Sequence, residues 1–582
     1  MQVTDISVYD SYTISWKQSL PSIPLDGVVE YKSLPSGLHN VKSDLVYFVH
    51  EQQFAGVSAF QNVEAGAGER NARFISVGAL VRLGDGRLGR AWEHAGALRD
   101  LAEKVVGDVE DVKVLEEYWD KWREGEGQGE AGKSSQQRRS RALSSLTLGG
   151  SNSFQQTLSP YHPAYSILSY LDTFGPLAFP LHRIALLRKR ILVITPVPVK
   201  HPCEYGMSIT HEKASNDLTR VVYDSSILSS LPHSLQYSPP SSSLSRLRPL
   251  FSVGIHDIPY LTELSKSSAT SDSEVAPEES TGWIACTTDE ILAMKTDLYD
   301  ILVELPHPDR PRRPTKRGRR PKNKGTGASR WPVIKLSGTS EEIKASQRDL
   351  RRYRSLRRAL APLARLESGK ADEAHLNPDE DDEETHLLFN SIHENFPDEG
   401  EEELKHRQDE EQVTERASWS ELAYSSFMWW AAAGEREEGL KSEDDQDAAL
   451  LGNLHDVVRK EVERRGYRDD ESEDEADQAE KSAQAEMAVI AYFHRVTKLL
   501  FENAEVALEP EARPAPSEAV SDNDREEEAV TVRLESEDLR RCGLDVWSER
   551  DRLFIMEFMD LWFERDVEVR GAGVECCGMR IC

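Results

Sequence analysis

The chain has 582 residues, of which 38% are hydrophobic and 30% charged, with a formal net charge of −31. That length suggests roughly three or four domain-sized units, and the low apolar fraction predicts that part of the chain cannot bury enough surface to fold. The acidic balance argues against a chain that coats nucleic acid or anionic membrane along its whole length, and leaves local basic patches as the exception.

Residues 1–123 read as one folded unit. YTISW, GVVEY, DLVYFVH and FAGVSAFQNV are short β-type runs. The alternation in VVEYKSL and FAGVSAF predicts a half-buried antiparallel sheet that ARFISVGALVRL continues. Two helices follow, WEHAGALRDLAEKVV and VKVLEEYWDKW, with apolar residues three and four apart. Residues 124–160 are rich in Gly, Ser and Gln and read as a flexible linker.

A second unit is predicted over 161–305. SILSYLDTFGPLAFPLHRIALL reads as helix and ILVITP as a buried strand. A Ser/Pro-rich loop insertion is expected at 210–247. FSVGIHDIPYL and GWIACTT read as strands, and Thr287 with Glu290 fits a capping box for the helix DEILAMKTDLYD. ILVEL is a further strand. Strands alternating with helices argue for an α/β unit. Residues 306–338 read as a basic, Pro-rich linker. An amphipathic basic helix is expected over 339–366, starting near Thr339 with a capping-box Glu342 and carrying Leu350, Tyr353, Leu356, Leu360 and Leu363 on one face.

Residues 367–484 are acidic, and two tracts, 370–415 and 435–482, are expected to stay disordered because dense like charge opposes compaction. Between them lies SSFMWWAAAG, 425–434, whose aromatic side chains are costly to leave in water at about 25 cal/mol per Å². It is expected to dock on the folded body or on a partner. The last unit, 485–582, is predicted to be mainly helical, with EMAVIAYFHRVTKLLF, RLFIMEFMDLWF and a short strand at DVEVR. The chain shows no internal repeat.

Cations fall in three places. HRIALLRKRILVITP, 182–196, sets Arg188, Lys189 and Arg190 inside the most apolar segment, where a helix ends and a strand begins. Cations there cap free carbonyls and offset the negative helix terminus, by about 0.3–1 kcal/mol each if exposed. A second reading adds contact with an acidic partner or a lipid head group. KRGRRPKNK contributes Lys316, Arg317, Arg319, Arg320, Lys322 and Lys324. It fits a nuclear import signal, a patch for anionic lipid or a solvated interdomain loop. The helix at 340–365 bears Arg348, Arg351, Arg352, Arg354, Arg357 and Arg358 opposite its leucines. It could lie on a membrane or pack its leucines on the α/β unit.

Signatures of covalent or metal chemistry fail on context. GQGEAGKS, 127–134, matches a phosphate-loop pattern, but a charged helix precedes it and coil follows, so the strand and helix that would aim its amides are lacking. HEQQF and HENF lack the second histidine of a zinc helix. Cys203, beside His201 and Glu204, reads as an ordinary thiol. The six cysteines, Cys203, Cys286, Cys542, Cys576, Cys577 and Cys582, show no CxxC spacing, no signal peptide is visible, and Met579 stands where a prenylation box needs Cys. No apolar run reaches the ~18 residues of a membrane span. A reduced cytoplasmic chain without cofactor or metal is expected, with its oligomeric state left open.

One group of motifs is specific. VVEYKSLPSGLHNVKSDLVYF followed by FAGVSAFQNV, then HRIALLRKRILVITPVPV, WIACTTDEILAMKTDLYDILVEL and the terminal GLDVWSERDRLFIMEFMDLWFERDVEV, in this order, resembles the LCHN-type branch of the DENN-domain family in its fungal, Anr2-like form. The resemblance covers 12–123, 161–363 and 536–577 and breaks over the acidic tracts. It implies an α/β plus α fold with a tripartite body: a longin-like N-terminal α/β module, a central α/β module and a helical C-terminal module. It also implies a regulator of a Rab-family small GTPase, acting as a guanine nucleotide exchange factor in the cytoplasm or peripherally on intracellular membranes. A non-catalytic trafficking adaptor is the alternative, and an acidic-tailed nuclear protein using 316–324 stands third. Relatives begin with an apolar strand before YTISWKQSL. Here MQVTDISVYD either substitutes for that strand or marks a chain that starts short. Residues 12–123 and 161–305 are expected to form two separate sheet-containing modules in contact, sharing a GTPase-facing surface with Arg188, Lys189 and Arg190 at its edge.

Overall fold

The computed structural model describes residues 2–7, 11–35, 42–63, 73–83, 90–107, 112–122, 161–195, 214–235, 244–267, 282–306, 331–367, 409–416, 433–466, 483–508, 532–570, 575–576 and 579–580, apart from a few single positions in these spans. The N-terminal part supplies β1 (Gln2–Ser7), β2 (Ser11–Lys17), α1 (Val29–Lys32), β3 (Ser43–His50), β4 (Phe54–Val63), β5 (Arg73–Arg82), α2 (Ala95–Gly107) and α3 (Lys113–Trp122). The start of the chain forms the substitute strand: β1 pairs antiparallel with β5 and with β2. GVVEY is a turn of helix and not a strand, with Val29 fully buried.

The central part supplies α4 (Ile167–Phe174), α5 (Ala178–Leu186), β6 (Ile191–Ile194), α6 (Ala214–Leu228), β7 (Arg248–Ser252), α7 (Ile258–Ser267), β8 (Trp283–Thr287), α8 (Glu290–Met294), β9 (Ile301–Glu304), β10 (Val333–Leu336) and β11 (Glu342–Ile343). The long helix expected before β6 is broken at Gly175, φ +52°, where a Cβ would run into the Trp331 ring. IHDIPYL is a 3-10 turn leading into α7 rather than strand. The expected Thr287–Glu290 box is instead a short turn in which the Asp289 amide donates to Thr287 Oγ1 at 3.1 Å.

Two expected connectors are structured. Within the loop expected across 210–247, residues 214–228 form α6, whose Val222, Tyr223 and Leu228 enter the core. Its serines disguised it. Inside the helix Ser226 Oγ donates to Leu247 O at 2.6 Å, and just past its end Ser229 Oγ donates back to Ser225 O at 2.8 Å and Ser230 Oγ to Ile227 O at 2.7 Å. A hydroxyl spent on its own helix backbone is compatible with burial. The basic linker also ends early, because Trp331 is buried and β10 pairs with β9.

The largest correction concerns the two modules. All eleven strands from β1 to β11 form one sheet, in the order β11-β10-β9-β6-β8-β7-β3-β4-β5-β1-β2. The N-terminal strands are antiparallel, and β6 to β9 are mutually parallel where they pair. The seam is a single residue pair, Phe48 on β3 with Phe251 on β7. Two exposed strand edges are a liability, and joining them removes both. Phe251 reaches the seam through a bulge after Pro249 and a left-handed backbone, φ +56°. Gly56, across from Phe48, leaves room for its ring.

Helices cover the two faces unequally. The first face packs under α2, α4, α5 and α6 and the later helices, in one core running from Leu45 and Val57 to Ile191, Ile284 and Val303. The second face carries a thinner layer: Leu25, Val29 and Phe48 under α1, then Leu192, Leu250, Trp283 and Leu302 under α7 and α8.

The rest of the chain adds α9 (Gln347–Glu367), α10 (Ala433–Leu451), α11 (Leu454–Gly466), α12 (Gln484–Leu508), α13 (Ser536–Arg541) and α14 (Glu549–Phe563), with β12 (Val532–Leu534) parallel to β13 (Val567–Val569). The strand expected at DVEVR is present. Helix α9 starts eight residues later than Thr339, capped by Ser346, whose Oγ accepts from Asp349 N at 3.2 Å. Much of the second acidic tract is helix, since α10 and α11 fill 433–466. Most of 370–415, all of 467–482 and SSFMWWAAAG lie outside the residues whose side chains are described.

Candidate partner-binding surface

Each expected cation can now be located. Arg188 is corrected from a surface residue to a buried one, 6% exposed. It has a left-handed backbone, φ +53°. Its guanidinium donates to Ala185 O at 2.6 Å, at the end of α5, and to Leu244 O and Ser229 O at 2.8 and 3.2 Å. It stacks over Trp562 at 5.2 Å. Burial pushes it down to about 9, with Arg246 adding to the effect. Of the triplet, Arg188 takes the carbonyl-capping position, and the other two cations pair with carboxylates. Arg190 grips Asp300, with Nη2 to Oδ1 at 2.6 Å, and Lys189 pairs with Glu557 at 2.5 Å. All three hold the amino edge of the parallel strands, before β6 and β9 begin. A Cβ at Gly282, which enters β8 at that edge, would collide with the Arg188 backbone. Lys316, Arg317, Arg319, Arg320, Lys322 and Lys324 lie outside the described residues.

The arginines of α9 do not form a free basic face. Arg348 and Arg352 are 1% and 3% exposed and share Asp447 of α10. Arg351 meets Glu443 of α10 at 2.5 Å. Arg354 and Arg357 meet Glu410, which is fully buried. The leucine side of α9 enters the main core through Tyr353, Leu356 and Leu363. Both sides of the helix are therefore used internally, and the membrane-lying orientation is corrected for these residues. The sequence missed it because the countercharge arrives from about a hundred residues away.

A surface that the sequence did not single out stands at the opposite, carboxyl edge. In open α/β sheets this edge is where ligands gather. Behind β7 comes the 3-10 turn Ile255–Asp257 and behind β8 comes α8. The two sit together, with Gly254 facing the Asp289 carboxylate. From the N-terminal half, α1 joins them across the seam. Tyr31 stacks on His256 with ring centroids 4.4 Å apart. Lys32 pairs with Asp257 at 2.6 Å and donates to Val49 O at 2.9 Å. Around this clasp the thin layer exposes Val28, Tyr31, Ile255, Ile291 and, at 76%, Met294. Apolar side chains grouped on one face mark an interaction site more than scattered ones do.

On the other side of the seam is a cavity of about 20 Å³, lined by Tyr47, Gly56, Trp92, Tyr161, Arg220 and Phe251. It has room for about one water molecule and not for an organic ligand. Among the described residues no cluster of three or more His, Cys, Asp or Glu is placed to hold a metal ion, and no helix is long and apolar enough to cross a membrane.

Buried histidines brace the helical face. His182 on α5 meets Thr497 Oγ1 on α12 at 3.1 Å, and His162 accepts from the Ala164 amide at 3.1 Å. Burial pushes His162 down to about 4 and His182 to about 3, with nearby arginines adding to it. Both are neutral in the fold. Below their unfolded value near 6.5, the unfolded chain takes protons that the folded chain refuses. Stability from these two groups is complete above about 6.5 and drains as pH falls, until each folded value is reached. His182→Gln is therefore expected to flatten the stability–pH curve between 6 and 4 by about 1.4 kcal/mol per pH unit. Denaturant unfolding across that range measures it, and an unchanged slope would show His182 protonated in the fold.

What this arrangement offers chemically is binding: a clasped, partly apolar edge on a rigid sheet. The fold, a mixed α/β sheet followed by helices, is consistent with a DENN domain, and comparison with known proteins supplies the family. The family model for DENN domain-containing protein 11 matches residues 2–314, more than half of the chain, so the chain belongs to that family. A second model, a domain of unknown function (DUF4484), matches 414–582. Neither covers 315–413, where α9 lies. The uncharacterized protein ANR2 of Saccharomyces cerevisiae is 22% identical over 600 aligned positions, 97% of this chain and 91% of that protein. DENN domain-containing protein 11 of Xenopus laevis is 28% identical over 285 residues, 48% of this chain and about half, 54%, of its own length. The uncharacterized protein C119.16c of Schizosaccharomyces pombe is 26% identical over 345 residues, 57% of this chain and 66% of its own.

Proposed function

We propose that this chain is a DENN-type exchange factor for a Rab-family small GTPase, working in the cytoplasm at intracellular membranes. The observation that carries the reading is the clasp at the seam. Residues from both halves of the family-matched sheet, the exposed Tyr31 with His256 and the largely covered Lys32 with Asp257, tie one edge together, with exposed apolar side chains on the elements that form it. A stable protein interface takes about 800 Å² from each partner, more than α1 or α8 alone can offer. Exchange asks for no nucleophile, acid–base pair or metal. The factor must bind the nucleotide-free GTPase better than the loaded one, and the difference in affinity loosens the nucleotide by linkage.

The test is release of a fluorescent guanine nucleotide from a panel of purified Rabs by the full chain. At least one Rab is expected to lose nucleotide faster, in proportion to the chain added. Tight binding of a Rab with unchanged release would replace this reading with that of a trafficking adaptor built on the same body.

A further inference from the structure

The buried cluster around Arg183 holds more acid than base. Arg183, on α5, donates to both oxygens of Asp349 at 2.8 and 2.5 Å and stands 3.1 Å from Asp551 Oδ1. The Asp349 and Asp551 side chains are 1% and 2% exposed. Asp349 also accepts from the Ser346 amide at 3.0 Å, and Asp551 Oδ2 from the Asp545 amide at 2.8 Å. Asp551 Oδ1, by contrast, has no hydrogen bond of good geometry. Facing Asp551 are Arg183 from α5, Asp349 from α9 and Asp545 from the turn before α14. Glu415, from the 409–416 segment, reaches the same cluster through Ser548 and Arg183.

One guanidinium thus serves two dry carboxylates, with Asp545 and Glu415 at the rim. The N-termini of α9 and α14 offset part of the excess. Two carboxylates sharing one cation out of water cannot both ionise cheaply, and one takes up a proton. Asp349 has the arginine fork and an amide. Asp551 has the looser contact and the bare oxygen.

We propose that Asp551 carries a proton in the folded chain at mildly acidic pH, and that this proton seats α14 on α5 and α9, making the joint between the DENN body and the C-terminal region sensitive to pH. Burial, outweighing Arg183, lifts Asp551 to about 7, while Arg183 holds Asp349 below the usual carboxylate range despite its burial. Because the Asp551 value is raised on folding, its contribution is complete below about 4 and is lost as pH rises through about 7. The joint brings together α5 from the first family match, α14 from the second and α9 from neither. The proposal does not depend on the partner being a GTPase.

The test uses the full chain and Asp551→Asn, which imitates the protonated acid without titrating. Between pH 5.5 and 8 the folded-to-unfolded ratio of the wild type is expected to fall roughly 30-fold relative to the variant. Terms from His162 and His182 cancel in that comparison. Parallel curves would overturn the proposal. Infrared spectra read the proton directly. A carboxylic-acid carbonyl band is expected in the wild type at pH 6, fading by pH 8.5 and missing from Asp551→Asn. Desolvation raises Asp224 too, and whatever signal it gives is common to both proteins. Should Asp551→Asn fail to fold, Asp349→Asn serves: relieved of its like charge, Asp551 should ionise and the acid band should shrink at pH 6 relative to the wild type. A spectrum unchanged from the wild type at that pH puts the proton elsewhere and refutes the idea.

Discussion

Asp447→Ala is expected to destabilise the chain by about 3–5 kcal/mol, the cost of stranding a buried charge without its partner. Asp447 accepts from Arg348 Nη2 at 3.0 Å and from Arg352 Nε and Nη2 at 2.9 and 2.7 Å. Without it, two buried guanidinium groups one helical turn apart face each other with no counterion of their own. Both also hold the 540–545 turn, through Arg540 O, Leu544 O and Gly543 O. The loss should spread to α10 and to that turn. Denaturant unfolding gives the magnitude, and hydrogen exchange on α10 gives the place. Replacing Arg348, Arg352 and Asp447 together by apolar residues of similar volume should recover most of the loss, because a buried pair stabilises little against a well-packed apolar set. A cost for Asp447→Ala below about 1 kcal/mol, as for an exposed pair, would mean that water reaches the cluster.

Under the proposed exchange function, Ile255→Asp with Met294→Asp is expected to weaken binding of the responsive Rab by about 30-fold or more, the effect of losing a central apolar anchor. The two side chains are 47% and 76% exposed, so unfolding should change by no more than about 0.5 kcal/mol. Leu553→Asp on α14 is the control: it is 45% exposed and lies with Glu557 and Lys189 at the amino edge. Binding measured for all three proteins by titration, and release by fluorescence, separates affinity from exchange. A Leu553 effect equal to that of the Ile255/Met294 pair would move the GTPase surface away from the seam.

How far the sequence reached depends on the range of the interaction. DLVYFVH, FAGVSAFQNV and ILVEL are strands because alternation or a short apolar run is a local property of β backbone, and the structure has them as β3, β4 and β9. WEHAGALRDLAEKVV and RLFIMEFMDLWF are helices for the same kind of reason. GVVEY failed because five residues with β-branched valines fit a strand as well as a turn of helix. The helix α6 was hidden by serines whose hydroxyls bond to Leu247 O across the fold or, just past the helix, to carbonyls three and four residues back, pairings visible only once the fold exists.

By itself, then, the sequence determined the class: mixed α/β halves followed by helices, and a DENN-type order of motifs. Tertiary structure decided which edges meet and where charge is spent. Nothing in β3 or β7 announces that Phe48 will pair with Phe251, because any two free edges offer the same hydrogen-bond groups. The acidic tract folds at 433–466 because α9 delivers arginines to Glu443 and Asp447, and like-charge repulsion counted along the chain omits such a distant counterion. The exposed edge at Tyr31, Ile255 and Met294 was illegible for the same reason: its residues come from three separate short helical turns, each unremarkable in sequence, and only the joined sheet brings those turns to one edge.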